Sequence, residues 1–170
     1  MKFKTKQLAI SAVIAAIYAV MTVFPGLNVL SFGAVQFRVS EVLCVLPLFT
    51  PAAIYGLTAG CFLANIISTA GALDIIFGTA ATLLASIFTY YMRRLPKAVA
   101  MLPPVIFNGI IVGWMITYFY TDTAGHFYKV LCWNMFTVAL GEFGVCYILG
   151  LPLIKYLNRN KIFLNNVRCD

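Results

Sequence analysis

The sequence predicts an all-α membrane protein, and three observations lead to that fold class. Hydrophobic residues make up 62% of the 170 residues and charged residues only 10%, whereas soluble domains are about 45–50% apolar and about 25% charged. Mean hydropathy is +0.95. Uncharged stretches long enough to cross a bilayer recur along the chain, and lipid is the solvent that accepts so much apolar surface. We expect one integral domain over residues 1–170, multi-pass in the cell membrane.

The first predicted span covers residues 7–24. Leu8–Phe24 carries no charge, and Pro25 followed by Gly26 ends the run. A basic start before an apolar stretch also resembles a signal peptide. Because apolar segments continue and no A-x-A cleavage site follows, we interpret the stretch as a membrane span.

The second and third predicted spans are short and cover residues 38–49 and 51–68. Val42–Leu73 is uncharged, which is long for one helix and short for two complete crossings. Pro47 and Pro51 interrupt it, and a residue that precedes proline is biased away from helical angles. The pattern therefore predicts two short helices joined by a proline turn.

The last three predicted spans cover residues 74–91, 98–120 and 129–155. Each is long enough for a hydrocarbon core of about 30 Å, which needs roughly 17–25 helical residues. Glu142 is the one charge within Val130–Ile154. The prediction is thus a six-helix polytopic protein.

The basic residues predict that both termini are cytoplasmic. With six spans, ten of the twelve basic residues lie inside, and only Arg38 and Lys129 lie outside. Five spans would place the cluster at 93–97 outside, against the positive-inside rule. Because the basic clusters separate apolar runs, we interpret them as topology determinants and expect no nucleic-acid partner.

Polar groups inside the apolar runs are the candidates for function, since a charge in the bilayer costs about 2.5–3.5 kcal/mol. Glu142 lies near the predicted midplane, Asn108 near the middle of the fifth span, and Asn134 about 12 Å outward of Glu142. Further candidates for substrate contact fall toward the outer side: Arg38, Glu41, Asn65, Asp74, Trp114 and Trp133. The inner halves are almost purely apolar. This favours an outward-facing cup over a channel or a proton relay, which would be polar throughout.

Structural interpretations of these residues remain open. Arg38 and Glu41, three residues apart, fit an interfacial ion pair, and Asp74 fits a helix N-cap. Asn65 and Asn108 fit interhelical hydrogen bonds, and the two tryptophans fit an interfacial belt. Glu142 is the hardest to explain structurally. The first four of the five cysteines lie in apolar runs, and we interpret them as small buried hydrophobes.

Small residues form two ridges on the first span. Ser11, Ala15 and Ala19 form one, and Ala12 and Ala16 form the other beside it. Small residues let a second helix approach closely. The ridges serve either internal packing or the docking of a partner.

No catalytic signature is present. The sequence has no HExxH, no P-loop and no GxSxG, and its single histidine lies in a predicted external loop. We expect no enzymatic activity, no cofactor and no metal. A chain without a nucleotide-binding motif cannot itself power ATP-driven uptake.

Two longer stretches resemble the QueT family. They are QFRVSE at 36–41 followed by LPLFTPAA at 46–53, and LDIIFGTAATLLA at 73–85; the resemblance covers roughly residues 5–155. It implies a six-helix substrate-binding subunit of an energy-coupling factor (ECF) importer, for a queuosine precursor such as 7-aminomethyl-7-deazaguanine. It also implies a transmembrane coupling subunit and two ATPases as partners. The alanine motif by which such subunits dock is matched by Ala12, Ala15, Ala16 and Ala19.

The polar candidates are compatible with that ligand. Glu142 or Glu41 suits its two adjacent N–H donors. Its carbonyl needs a donor, which Asn134, Asn108 or Gln36 offers. Trp114, Trp133 or a tyrosine suits its flat face, and Asp74 suits the cationic aminomethyl group.

Three alternatives remain. An ECF substrate subunit for a vitamin would use the same cup and ridge. An intramembrane enzyme would use Glu142 with Asp74, although the predicted depths of these acids differ. A purely structural membrane protein would leave the buried charge unexplained.

Overall fold

A computed structural model of the chain describes residues 5–24, 38–67, 72–121 and 125–167. Gln36, a predicted substrate contact, lies outside the described residues. The described residues are helical, with short turns and no strand among them, which confirms the all-α prediction. We number the helices α1 Thr5–Val23, α2 Val39–Leu48, α3 Ala52–Ile67, α4 Asp74–Arg94, α5 Lys97–Tyr120, α6 Phe127–Arg159 and α7 Lys161–Val167.

Four of these helices are long and apolar enough to cross a membrane: α1, α4, α5 and α6. Helix α6 has 33 residues and continues beyond the predicted end at 155. Its last segment, Leu151–Arg159, is strongly amphipathic and carries basic residues. Its apolar side, with Ile154 and Leu157, is buried in the core of the bundle, and Lys155 and Arg159 are exposed on the other side. Large hydrophobic side chains are exposed over much of the bundle's outer surface, as expected for contact with lipid.

Helix α2 lies at the centre of the bundle. It is a ten-residue 3-10 helix that contains Pro47, and at about 2.0 Å per residue it is about 20 Å long. It contacts α1, α3, α4 and α6, and most of its side chains are buried. A helix with apolar side chains on most of its surface is expected in such a position. Glu41 is thereby placed in the interior.

Helices α1 and α3 approach closely through small residues. A Cβ on Gly56 would lie 2.7 Å from the Ser11 carbonyl oxygen, and one on Gly60 would lie 2.8 Å from that of Ala15. The Ser11 hydroxyl donates to the Ala52 carbonyl at 2.8 Å. These glycines therefore have to lack a side chain for the two helices to meet.

Helices α5 and α6 also meet at glycines. A Cβ on Gly113 would lie 2.6 Å from Cα of Met135, and one on Gly109 would lie 3.0 Å from Cβ of Ala139. Residue numbers rise along α5 as they fall along α6 at these contacts, so the two helices are antiparallel. The contacts also determine which residues further along α5 and α6 lie at the same level along the two helix axes.

Three long helices contain π-helical turns: Asp74–Gly78 in α4, Asn108–Val112 in α5 and Gly144–Gly150 in α6. Such turns are rare and are frequent at functional sites. The first begins at Asp74 and the second at Asn108, while the third follows Glu142 by two residues. All three therefore lie beside buried polar side chains.

Candidate functional site

Buried polar side chains from five helices and the residue before α2 form a single group, which we call the central polar cluster. Hydrogen bonds, an ion pair or electrostatic proximity connect its members, which are Tyr18, Arg38, Glu41, Asn65, Asp74, Thr82 and Glu142. All of them are almost fully buried. The cluster thus joins α1, α2, α3, α4 and α6 through polar contacts.

Arg38 is held against α4. Its Nη2 lies 3.3 Å from Oδ1 of Asp74, and the Asn65 amide donates to the Asp74 carbonyl oxygen at 2.8 Å. A Cβ on Gly78 would lie 3.3 Å from Nη1 of Arg38 and 3.1 Å from Nδ2 of Asn65. Gly78 therefore leaves room for both side chains. Asp74 pairs with Arg38 and does not cap its helix, since Leu73 before it is already helical.

Glu41 has partners on both carboxylate oxygens. The Tyr18 hydroxyl donates to Oε1, and the Thr82 hydroxyl approaches the same oxygen at 3.4 Å. The Cys44 thiol donates to Oε2 at 2.8 Å. Glu41 is fully buried, so these donors take the place of water.

Glu142 is different. It is 2% exposed and lies close enough to Glu41 and Arg38 for their charges to interact. Its Oε2 accepts no hydrogen bond from the residues that the structure describes. The Nδ2 of Asn108, also 2% exposed, likewise donates to no group in the described ranges.

The other predicted contact residues lie further from this centre. Asn134 donates to Oγ1 of Thr117 at 3.0 Å and thereby ties α6 to α5. Trp114 stacks on Tyr118, with 5.3 Å between ring centroids, and meets Phe77 edge-on at 5.8 Å. Trp133 is 66% exposed on the outer surface of α6. Trp114 is thus next to the π-helical turn that begins at Asp74, whereas Trp133 is not.

The two small-residue ridges of α1 have different surroundings. Ser11 and Ala15 are buried against α3, and Ala19 is half-buried. Ala12 and Ala16, on the adjacent ridge, are exposed. Only the second ridge is therefore open to a partner without a change in α1–α3 packing.

Several residues of the cluster were missed from the sequence. Tyr18 lies on the face of α1 that is buried with Ser11 and Ile14, and that i, i+3, i+4 spacing was the available signal. Thr82 lies eight residues after Asp74, about two turns along the same helix.

Cys44, Cys61 and Cys146 are buried as predicted, but Cys132 is exposed. Among the described residues, no three His, Cys, Asp or Glu side chains are grouped to hold a metal ion.

Comparisons with known proteins agree with the sequence resemblance. A family model described as QueT transporter matches residues 8–159. The queuosine precursor transporter QueT of Lactococcus lactis subsp. cremoris (strain MG1363) is 39% identical over 82 residues, which are 48% of this chain and 48% of that protein. The chain thus spans about half the length of the curated relative that it matches. No solved structure matches the chain significantly. Because the family model covers most of its length, this multi-pass membrane chain belongs to the QueT transporter family.

Proposed function

We propose that the chain is the substrate-binding subunit of an ECF-type importer that takes up a queuosine precursor through the cell membrane. The proposed ligand is 7-aminomethyl-7-deazaguanine or a related deazapurine. The observation that carries this proposal is the buried Glu142, whose Oε2 accepts no hydrogen bond from the described residues. The printed name of the Lactococcus lactis relative, a queuosine precursor transporter, supports the ligand class.

The chemistry of the central polar cluster suits such a ligand. A deazaguanine presents a ring N–H beside an exocyclic amine, and a carboxylate accepts both. We assign this role to Glu142 rather than Glu41, because Glu41 already accepts hydrogen bonds on both oxygens. The cluster holds three acids and one cation: Asp74 pairs with Arg38, and Glu41 and Glu142 interact with Arg38 electrostatically. An excess of acid favours the cationic aminomethyl group.

The remaining site residues are assigned by position. Arg38, Asp74 and Asn65 are held together by an ion pair and a hydrogen bond, and Arg38 interacts electrostatically with Glu142. Trp114 is the aromatic residue that we propose for stacking, because it borders the π-helical turn of α4 through Phe77. The predictions for Gln36, Asn134 and Trp133 stay predictions.

Binding by the purified subunit tests the proposal. We expect 7-aminomethyl-7-deazaguanine to raise the melting temperature in detergent and to give a saturable binding isotherm. Riboflavin, thiamine and biotin should do neither. Stabilisation by a vitamin and not by the deazapurine would assign the subunit to a different substrate. Binding of no compound in the panel would contradict a substrate-binding role for this class of ligands.

We further propose that all six helices α1 to α6 cross the membrane, with both termini in the cytoplasm. Helices α2 and α3 are the short crossings. The distribution of basic residues supports this topology, since Arg93, Arg94 and Lys97 then lie inside.

Cysteine labelling from outside is expected to follow that topology. In a variant that lacks the exposed Cys132 and the C-terminal Cys169, a cysteine at position 126 should react with a membrane-impermeant maleimide in intact cells. A cysteine at position 95, between α4 and α5, should react only after permeabilisation. Labelling at 95 in intact cells would exclude the six-span topology.

We propose that the exposed ridge of Ala12 and Ala16 is where α1 meets the ECF coupling subunit, which acts with two ATPases. Small side chains on an exposed helical face let another helix approach closely. Ser11, Ala15 and Ala19 then support this surface from the side of α3. The exposure of Ala12 and Ala16 in the isolated chain supports the assignment.

Substitution of the two ridges should separate docking from folding. Ala16→Leu is expected to abolish uptake while the isolated subunit still binds ligand, because the added bulk points away from α3. Ala15→Leu should instead lower the melting temperature and abolish binding, since Gly60 leaves no space beside Ala15. Ile148→Phe, on an exposed position of α6, is the control and should leave uptake unchanged. Normal uptake by Ala16→Leu would exclude the ridge as the docking surface.

A further inference from the structure

Two buried polar atoms of opposite type lie on neighbouring helices without a partner among the described residues. They are the Oε2 of Glu142, an acceptor, and the Nδ2 of Asn108, a donor. Two buried hydroxyls, of Thr79 and Thr89, share this property, but a hydroxyl turns freely toward a nearby carbonyl. Buried amide and carboxylate groups are nearly always hydrogen-bonded, so an exception calls for an explanation.

The packing of α5 on α6 places these two residues at nearly the same height. Gly113 lies against Met135 and Gly109 against Ala139. Continued for one more turn, this register puts position 106 opposite Glu142. Asn108 is two residues away, which corresponds to about 3 Å along the helix axis.

The helix segment that contains Asn108 and the Glu142 side chain are both connected to the same polar region. The π-helical turn Asn108–Val112 contacts the turn Asp74–Gly78, whose first residue is paired with Arg38. Glu142 lies within electrostatic range of Arg38 and Glu41. One edge of a flat ligand bound in this region would face both α5 and α6.

We propose that Asn108 and Glu142 together read the lactam edge of the bound base, and that Asn108 selects a carbonyl at position 6 of the ring. This inference rests on the proposed function. In a 6-oxo base the ring N1–H donates to Glu142 Oε2, and the adjacent carbonyl accepts from Asn108 Nδ2. In a 6-amino base the donor and the acceptor of this edge are exchanged. The N1 lone pair then faces the carboxylate, and an amino group faces the amide nitrogen.

Two other candidates within the described residues are already engaged. The oxygens of Glu41 accept from Tyr18 and Cys44. The amide nitrogen of Asn134 donates to Thr117. These hydrogen bonds favour Glu142 over Glu41 as the acid and Asn108 over Asn134 as the donor to the carbonyl.

A pair of ligands that differ only at this edge tests the inference. They are 7-deazaguanine and 2,6-diamino-7-deazapurine, with affinities measured by calorimetry on the purified subunit. The wild type should prefer 7-deazaguanine. Asn108→Leu keeps the size but removes the donor, and should weaken binding of 7-deazaguanine by about 5- to 150-fold. It should weaken the diamino compound far less, so that the preference falls.

Controls separate this inference from the proposed function. Thr89→Val removes another buried hydroxyl without a partner in the described ranges and should leave the preference unchanged. Equal weakening of both ligands by Asn108→Leu, at an unchanged melting temperature, would overturn the role of Asn108. If the wild type binds neither compound nor 7-aminomethyl-7-deazaguanine, the proposed function itself fails.

A second variant covers the case in which Asn108→Leu does not fold. Glu142→Gln offers an amide that can donate to the N1 lone pair of the diamino compound. Its preference should therefore shift toward that compound by at least about tenfold. If Glu142→Gln has the same ratio of affinities for the two compounds as the wild type, the proposed recognition of the lactam edge is wrong.

Discussion

Arg38→Met is expected to destabilise the folded protein by about 3–5 kcal/mol, because removal of one partner leaves buried acids uncompensated. Arg38 is almost fully buried, and its Nη2 lies 3.3 Å from Asp74. It also interacts electrostatically with Glu41 and Glu142. Methionine fills a similar volume, so the effect reports charge rather than packing. Unfolding in detergent, followed by helix content against denaturant, measures it.

Two further variants show whether the buried pair is responsible. Asp74→Asn in the Arg38→Met background removes the stranded carboxylate and should restore part of the lost stability. Arg94→Met, at the exposed last residue of α4, should change stability by no more than about 0.5 kcal/mol. An Arg38→Met protein as stable as the wild type would show that the central polar cluster does not depend on its cation.

Composition and charge distribution predicted the class of this fold but not how its helices pack against one another. The uncharged run around Pro47 indicated a short helix, and α2 is a ten-residue 3-10 helix. The sequence did not indicate that α2 is the buried centre of the bundle. In a membrane, lipid-facing and protein-facing surfaces are both apolar, so hydropathy does not tell them apart. The same reason explains why two adjacent ridges of α1 looked equivalent.

The polar candidates were easier to find than their partners. Glu142, Asn108, Glu41 and Asp74 were identified because polar groups are costly in a bilayer, and all four are buried. The pairing of Asp74 with a residue 36 positions earlier has no local signal. Tyr18 was missed because an amphipathic side chain is ordinary in an apolar run.

Glu142→Gln is expected to weaken binding of 7-aminomethyl-7-deazaguanine by about 30- to 150-fold, or about 2–3 kcal/mol. The substitution keeps the size but replaces one acceptor oxygen with a donor. The glutamine loses the charge-assisted hydrogen bond to the adjacent N–H groups of the base. Its amide N–H also faces an N–H of the base, so that two donors oppose each other. Calorimetry on the purified subunit measures the change. The melting temperature without ligand should stay near that of the wild type, because Oε2 accepts no hydrogen bond from the described residues.

Glu41→Gln provides the contrast that identifies the ligand-binding acid. Both oxygens of Glu41 already accept hydrogen bonds from donors that include Tyr18 and Cys44, so an amide there would oppose one of them inside the bundle. We therefore expect Glu41→Gln to lower the melting temperature of the ligand-free protein, whereas Glu142→Gln should lower chiefly the affinity. If Glu142→Gln binds the ligand as tightly as the wild type, the carboxylate of Glu142 is structural. The search for the recognising acid would then move to Asp74, whose pairing with Arg38 would have to open for a ligand to bind.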